Sequence, residues 1–282
     1  MIETKTLNIR GELLLLHKPL VMGILNITPD SFYDGGKFSD IDKVKRGIEN
    51  MLEEGVDIID IGAMSSRPGA EMIDEKTEWE RLEPVLKLIN KYFTKIPFSI
   101  DTIRASIAEK SLRDYGAAMI NDISAGNIDA KMFDTIAKYN VPYIIMHMRG
   151  TSENMQKNTE YGDIINEILY FFSEKINKLN QLGINDIIID PGFGFSKTIE
   201  QNYFLLNNLD KFNVFELPLM AGLSRKSMAW KYLGITPEEA LCPTQSLNTI
   251  AINKGVNIIR VHDVKPARQL VDMYCKMKEQ DL

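Results

Sequence analysis

Cysteine and histidine are scarce in this chain: two cysteines and three histidines among 282 residues. Cys242 and Cys275 share no paired spacing, so the sequence offers neither a disulfide framework nor a zinc site, and a reducing cytoplasm is the expected compartment. A basic excess is also missing. The net charge of −6 leaves no general positive field for nucleic acid, so a phosphate-bearing ligand has to be met by local cations. The apolar run 13–16 is far too short to span a bilayer, and residues 1–6 lack a signal-peptide pattern. No low-complexity tract, heptad run or inter-domain linker interrupts the chain. No G-x-G-x-x-G follows the first strand, and no G-x-S-x-G elbow or reactive-cysteine motif stands anywhere.

What is present is enough apolar residue, 44%, to fill one large core. The length suits a single α/β barrel of about 250 residues. Residues 5–16 read as a hairpin turning near Arg10 and Gly11, so the expected organisation is one domain, 1–282, with an N-terminal hairpin (1–18) and a barrel (19–282). His17, just past the hairpin, reads as structural.

A strand–loop–helix rhythm follows. Short apolar strands are expected at 20–26, 58–61, 98–101, 118–122, 143–147, 187–190, 219–223 and 257–262. Helices are expected near 41–53, with Asp40 as N-cap and Gly55 as stop, and near 75–92, 104–115, 130–139, 162–182, 199–209, 226–232, 244–253 and 264–278. Eight such units with right-handed crossovers close into a (β/α)8 barrel. A doubly wound open sheet is the alternative, disfavoured by the missing glycine fingerprint.

The stretch 187–197 shows the pattern most sharply. Three isoleucines without polar alternation read as a strand buried on both faces. The strand ends in Asp190, and Pro191 stops it. Gly192 and Gly194 permit a tight turn, while Phe193, Phe195 and Lys197 put aromatic faces and one positive charge in the same loop.

In a barrel the carboxyl ends of the strands share one mouth. Those ends supply Asn26, Ser66, Arg67, Asp101, Asn121, Asp122, Met146, His147, Asp190, Ser224, Lys226, Arg260 and His262. Individually each has a plainer reading: Asp101 or Asp122 as a helix cap, His147 as a hydrogen-bonded rim residue, Arg67 as a solvated loop charge. Together they separate into two zones. Asp101, Asn121 and Asp190 are rich in acceptors and suit a heterocycle rich in N–H donors, with Lys226 facing a ring acceptor. Asn26, Arg260, His262 and the Ser66–Arg67 loop suit phosphate. Oxygens of Asn26 and Asp34 suit Mg²⁺. Lys226 as a Schiff-base lysine is disfavoured because it lies beyond the strand end rather than within it.

These residues resemble the dihydropteroate synthase family. Residues 22–36 (Met-Gly-Ile-Leu-Asn-Ile-Thr-Pro-Asp-Ser-Phe-Tyr-Asp-Gly-Gly) and 60–70 (Asp-Ile-Gly-Ala-Met-Ser-Ser-Arg-Pro-Gly-Ala) are similar to its two long signatures. Segments 99–102, 120–122, 146–148, 190–195, 224–227 and 260–263 continue the likeness in order. The resemblance implies a (β/α)8 barrel and a transferase that condenses a dihydropterin carrying a 6-hydroxymethyl diphosphate with 4-aminobenzoate, giving 7,8-dihydropteroate and diphosphate in folate biosynthesis.

It also implies roles. Asp101, Asn121, Asp190 and Lys226 hold the pterin, with Met146 and Arg260 against its faces. Asn26, Arg260 and His262 hold the diphosphate, with Mg²⁺ at Asn26. Ser66, Arg67, Pro68, Phe195 and Ser224 border the aminobenzoate. Asp101, Lys226, Asp34 and Arg67 are the expected catalytic residues, and the loops 28–36 and 63–70 close over the reaction. The expected assembly is a cytoplasmic homodimer, a target of sulfonamides, with small-molecule substrates and neither nucleic acid nor membrane as partner. Two departures stand out: Met64 where the family often has glutamate, and Ser196 where glycine is common. A pterin-binding methyltransferase domain and a non-catalytic pterin-binding homologue are the competing readings. The first lacks a visible partner domain, and the second does not require Asn26, Asp34 and Arg67.

Overall fold

The computed structural model describes residues 5–27, 37–65 and 69–279, with 37–40 as backbone only. An antiparallel hairpin of β1 (Thr6–Ile9) and β2 (Glu12–Leu15) comes first. Arg10 and Gly11 both take positive φ at its turn, where the Gly11 N–H donates to Asn8 Oδ1. Eight parallel strands follow: β3 (Leu20–Asn26), β4 (Ile58–Gly62), β5 (Phe98–Asp101), β6 (Met119–Asp122), β7 (Tyr143–Met146), β8 (Ile187–Asp190), β9 (Met220–Ala221) and β10 (Ile258–Val261). Their order is β8-β7-β6-β5-β4-β3-β10-β9. A parallel bridge between Ile189 and Leu219 brings β9 back to β8, so the sheet closes on itself. That ring excludes the open doubly wound sheet.

Among the described residues the helices are α1 (Lys37–Glu53), α2 (Glu75–Tyr92), α3 (Ala105–Tyr115), α4 (Met132–Tyr139), α5 (Ile164–Gln181), α6 (Ile199–Asn207), α7 (Ser227–Trp230), α8 (Leu241–Asn253) and α9 (Val264–Lys278). Two expectations need correction. Helix α1 already runs from Lys37, so Asp40 lies inside it rather than capping it. Asp122 caps no helix either. Its carboxylate accepts from Ser124 N, Ser124 Oγ, Gly126 N and Tyr143 Oη, closing a turn well before α4 begins. The other helices lie close to their expected spans, although α7 is a single turn and α8 starts three residues early.

Strand periodicity builds the interior. Side chains two residues apart share a face. Met22, Ile58, Met119, Ile144, Ile188, Met220 and Ile258 point into the barrel and pack on Leu7 and Leu16 of the hairpin segment, which plugs the bottom. Two residues further along the same faces come Asp60, Asn121, Met146, Asp190 and Arg260. The intervening residues, such as Ile59, Ile61, Ile120, Ile145 and Ile189, face the helices. The barrel is therefore apolar below and polar above, and the polar layer opens at the mouth.

Candidate active site

Four neighbouring strands bring their ends to one level: Asn26 is in register with Gly62, Gly62 with Asp101, and Asp101 with Asn121. Across the mouth, Met146 of β7 is level with Asp190 of β8. A Cβ at Gly62 would stand 3.4 Å from Asp101 Cβ and 3.7 Å from Asn26 Oδ1, so the absent side chain leaves a gap between that carboxamide oxygen and the carboxylate.

Arg260 ties the polar layer together. Its Nε donates to Asp60 Oδ2 at 2.6 Å and its Nη2 to Asp101 Oδ2 at 2.8 Å. Asn121 Nδ2 donates to the same Asp60 oxygen at 3.0 Å. Asp60 is fully buried, and its Oδ1 has no hydrogen-bond partner among the described residues. Asp60 thus orients two site residues without standing at the mouth itself.

The β8 loop carries the other wall. Asp190 Oδ1 accepts the Gly192 N–H at 2.8 Å, which aims the carboxylate back over the strand end. Lys226 Nζ lies 4.1 Å from the centre of the Phe195 ring, a cation–π contact. Gly194 permits the approach, since a Cβ there would meet Lys226 Cδ at 3.0 Å. The Ser224–Lys226 turn is bound to the end of β10. The His262 N–H donates to Ser224 Oγ at 3.2 Å, and its Nδ1 is 3.1 Å from the same hydroxyl. Arg225 forms a two-pronged pair with Asp263 at 2.7 and 3.1 Å. His262 itself is exposed at the rim, with Arg260, Arg225 and Lys226 near it.

Burial sets the electrostatics. It pushes Asp101 up to about 7; Arg260 opposes this, while Asp60, Glu78 and Asp122 add to it. Burial also raises Asp190, against the Gly192 N–H and the cations Lys226, Arg260 and Lys197. Lys226 is brought down to about 8 by burial and Arg260, against the pull of Asp190 and Asp101.

Of the expected site residues, Asn26, Asp101, Asn121, Met146, Asp190, Phe195, Ser224, Lys226, Arg260 and His262 meet at this mouth. Asp34, Ser66, Arg67 and Pro68 lie outside the described residues. His147 is not a rim residue: it is buried and its Nδ1 is 3.1 Å from Lys197 Nζ. The sequence reading missed Asp60, although a lone carboxylate inside an isoleucine strand was a signal for it. It also missed Glu78. That buried carboxylate accepts from Thr102 Oγ1 at 2.6 Å and pairs with Arg104, whose guanidinium also holds the Ile73 carbonyl beyond the second signature.

Both sequence departures have a physical account. Met64 packs with Ile103, Ile123, Met146, Met148, Met155 and Phe195, an apolar cluster that would leave a carboxylate without a partner. Ser196 sits at φ 51°, a conformation that favours glycine, and its hydroxyl accepts the Arg149 N–H at 2.7 Å and donates to the Arg149 carbonyl at 3.0 Å.

A carboxylate and a carboxamide held by an arginine, with a second carboxylate and a lysine opposite, can grip a flat ring through its N–H and acceptor atoms. Comparison with known proteins points the same way. A family model described as "pterin binding enzyme" matches residues 22–262. A dihydropteroate synthase of Clostridium beijerinckii is 44% identical over 247 residues, covering 86% of this chain and 88% of that protein. Among solved structures, the Yersinia pestis dihydropteroate synthase in a sulfonamide drug complex superposes with a TM-score of 0.90 at 38% identity, covering 97% of this chain and 99% of that one. The Xanthomonas albilineans dihydropteroate synthase with 4-aminobenzoic acid gives 0.89 at 32% identity, covering 98% of each.

Proposed function

The chain belongs to the pterin-binding enzyme family, among its dihydropteroate synthases, and from that premise we propose that it joins its two substrates by a dissociative displacement at the mouth described above. The enzyme condenses (7,8-dihydropterin-6-yl)methyl diphosphate with 4-aminobenzoate. Asp101, Asn121 and Asp190 take the N–H groups of the pterin and Lys226 donates to its ring acceptors. Met146 and the Arg260 guanidinium lie against its faces. Asn26, Arg260 and His262 hold the diphosphate. Phe195 and Ser224 border the aminobenzoate, together with Ser66, Arg67 and Pro68 of the second signature.

The carbon–oxygen bond to diphosphate breaks first, and its electron pair leaves on the diphosphate oxygen. The exocyclic carbon becomes a cation conjugated with the ring, and the ionised Asp101 faces that charge. The lone pair of the neutral aniline nitrogen then forms the carbon–nitrogen bond, and the surplus proton passes to water or to the departing diphosphate. No protein nucleophile is required. Asp34 and Arg67, on the two signature loops, are assigned to steadying the leaving group, and closure of loops 28–36 and 63–70 would keep water from the cation.

The donor set at Asn26 fits Mg²⁺. One carboxamide oxygen beside an open gap suits an ion that takes few protein oxygens and completes its shell with phosphate and water. Bound there, it supplies neutralisation of the diphosphate charge. Two free thiols, Cys242 and Cys275, support a cytoplasmic setting, and no described helix is long and apolar enough to cross a membrane. Exposed aromatic and aliphatic side chains along α6 to α9 support a homodimer.

The register that sets Asn26, Gly62, Asp101 and Asn121 side by side, with Arg260 bridging Asp60 and Asp101, carries this reading. Its test is diphosphate release from the pterin diphosphate, with and without 4-aminobenzoate and Mg²⁺. Sustained release over many turnovers that requires all three, and that a sulfonamide suppresses until excess 4-aminobenzoate relieves it, is the expected result. Steady-state release indifferent to 4-aminobenzoate would overturn the two-substrate reading.

A further inference from the structure

Lys197 is a buried amine, brought down to about 7 by its burial, to which the chemistry above gives no task. Its Nζ is enclosed by the loop that follows β8, and no carboxylate is within hydrogen-bonding distance of it among the described residues. It donates to the Gly192 carbonyl and the Phe195 carbonyl, each at 3.0 Å, and reaches His147 Nδ1 at 3.1 Å. Burial and the neighbouring Lys197 and Arg149 hold His147 well below its usual pKa, so its ring is neutral and its Nδ1 can accept an N–H of Lys197.

Burying an amine is costly, and the cost shows in the lowered pKa of Lys197; an aliphatic residue would fill the same space without it. What the amine supplies is geometry. The Gly192 and Phe195 carbonyls converge on it because Gly192 and Gly194 take left-handed φ values of 73° and 80°. The two bonds bracket Phe193 and Gly194 and add a side-chain clamp to a turn that the Phe195 N–H also closes on the Gly192 carbonyl at 3.1 Å and that Asn202 Oδ1 holds by accepting the Gly194 N–H at 2.7 Å. Phe195 in turn carries Lys226 on its ring, and Gly192 supplies the N–H that orients Asp190. On its outer side the turn is held separately, by Ser196 to Arg149 and by the Tyr161 hydroxyl donating to the Ser196 carbonyl at 3.0 Å.

We propose that Lys197 is a positioning residue for the second substrate: by holding the carbonyls of Gly192 and Phe195 it fixes the Phe195 ring, with Lys226 over it, and thereby sets the affinity for 4-aminobenzoate. The proposal rests on the reading that Phe195 borders that substrate. Phe195 lies at the held end of the turn, whereas Asp190 keeps its own anchor in the rigid end of β8 and the backbone of Lys226 is held by the Arg225–Asp263 pair and the Leu223 carbonyl. Loss of the lysine therefore falls on the aminobenzoate side of the site more than on the pterin side.

The test is steady-state kinetics of the full-length enzyme with Mg²⁺ and both substrates, on Lys197→Met, Phe195→Ala and the double variant. Lys197→Met is expected to raise KM for 4-aminobenzoate about tenfold while KM for the pterin diphosphate changes less than about threefold. The two substitutions should combine less than multiplicatively, because one acts through the other. Lys197→Gln, which keeps a donor for one carbonyl, should fall between wild type and Lys197→Met, and it decides the matter if the methionine variant does not fold. An unchanged KM for 4-aminobenzoate, a parallel rise in both KM values, or multiplicative effects would each overturn the proposal. If Phe195→Ala alone leaves that KM unchanged while Lys197→Met raises it, the assignment of Phe195 to the pocket is what fails.

Discussion

Arg260 is shared between two carboxylates, and the sharing shapes how each behaves. Asp101 titrates near 7 because burial favours its neutral form more than Arg260 favours its charged one. Its folded pKa thus stands above its unfolded value. As pH rises from the ordinary carboxylate range to about 7, the unfolded chain has released this proton and the folded chain has not, so stability declines across that window and levels off above it. Activity should move the opposite way, since only the ionised carboxylate faces the cation. The kcat/KM for the pterin diphosphate is expected to climb through about 7 and to fall above about 8 as Lys226 loses its proton. Asp101→Asn should abolish most turnover yet melt no lower than wild type at pH 8, as calorimetry beside the pH–rate profile would show. A mutant with near-normal rates would refute the role. Asp60 makes a different prediction. Asp60→Asn weakens the anchor of both Arg260 and Asn121, so KM for the pterin diphosphate should rise about tenfold while KM for 4-aminobenzoate holds. Equal shifts in both would mean that Asp60 serves packing alone.

At the scale of elements, the two ends of the barrel have separate duties. The hairpin plugs the bottom, and Arg10 at its turn donates to Gly116 O at 3.0 Å and Thr94 O at 3.2 Å, beyond the carboxyl ends of α3 and α2, with its guanidinium over Phe98. Arg10→Ala should cost about 1 kcal/mol in urea unfolding through the lost bonds to these carbonyls. Turnover per folded molecule should not change, because the mouth lies at the opposite strand ends. A fall in kcat at unchanged stability would couple the ends and contradict this division. Which elements the sequence reveals follows from the same physics. Parallel strands buried on both faces are apolar runs, so the eight strands are readable directly, as are the polar residues Asn26, Asp101, Asp122 and Asp190 that end four of them. Asp60 is not, because its partner Arg260 is 200 positions away. Lys197 reads as an ordinary loop charge because its burial depends on His147, 50 positions earlier. Asp122 resembles a helix cap because nothing local says that Ser124 and Gly126 will close a turn on it first. Met64 breaks a familiar pattern, and only the assembled cluster around Ile103 and Met155 shows that an apolar side chain belongs there.

For the whole molecule, the described surface along α6 to α9 is apolar in a way the rest of the fold does not require. Tyr232 is 75% exposed and Met273 76%, with Phe204, Leu233 and Ile250 also open to solvent. Tyr203 and Tyr232 stack edge-on at 6.0 Å beside a groove lined by Leu233, Pro243 and Leu247. Aromatic side chains lose little conformational freedom on burial and anchor interfaces well. The face is formed by helices outside the ring of strands, where a second copy would cover it. A stable dimer buries more than about 1,000 Å². Tyr232→Glu places a charge where that interface would exclude water, at a cost of roughly 3 kcal/mol or more, over a hundredfold in the dissociation constant. Sedimentation velocity at micromolar concentration should therefore find dimer for the wild type and monomer for the variant. Asn26, Asp101, Asn121, Asp190, Lys226 and Arg260 already meet at the mouth of a single barrel, so the monomer should keep its KM for both substrates. A wild type that sediments as monomer, or a variant that stays dimeric, would move the interface elsewhere or remove it.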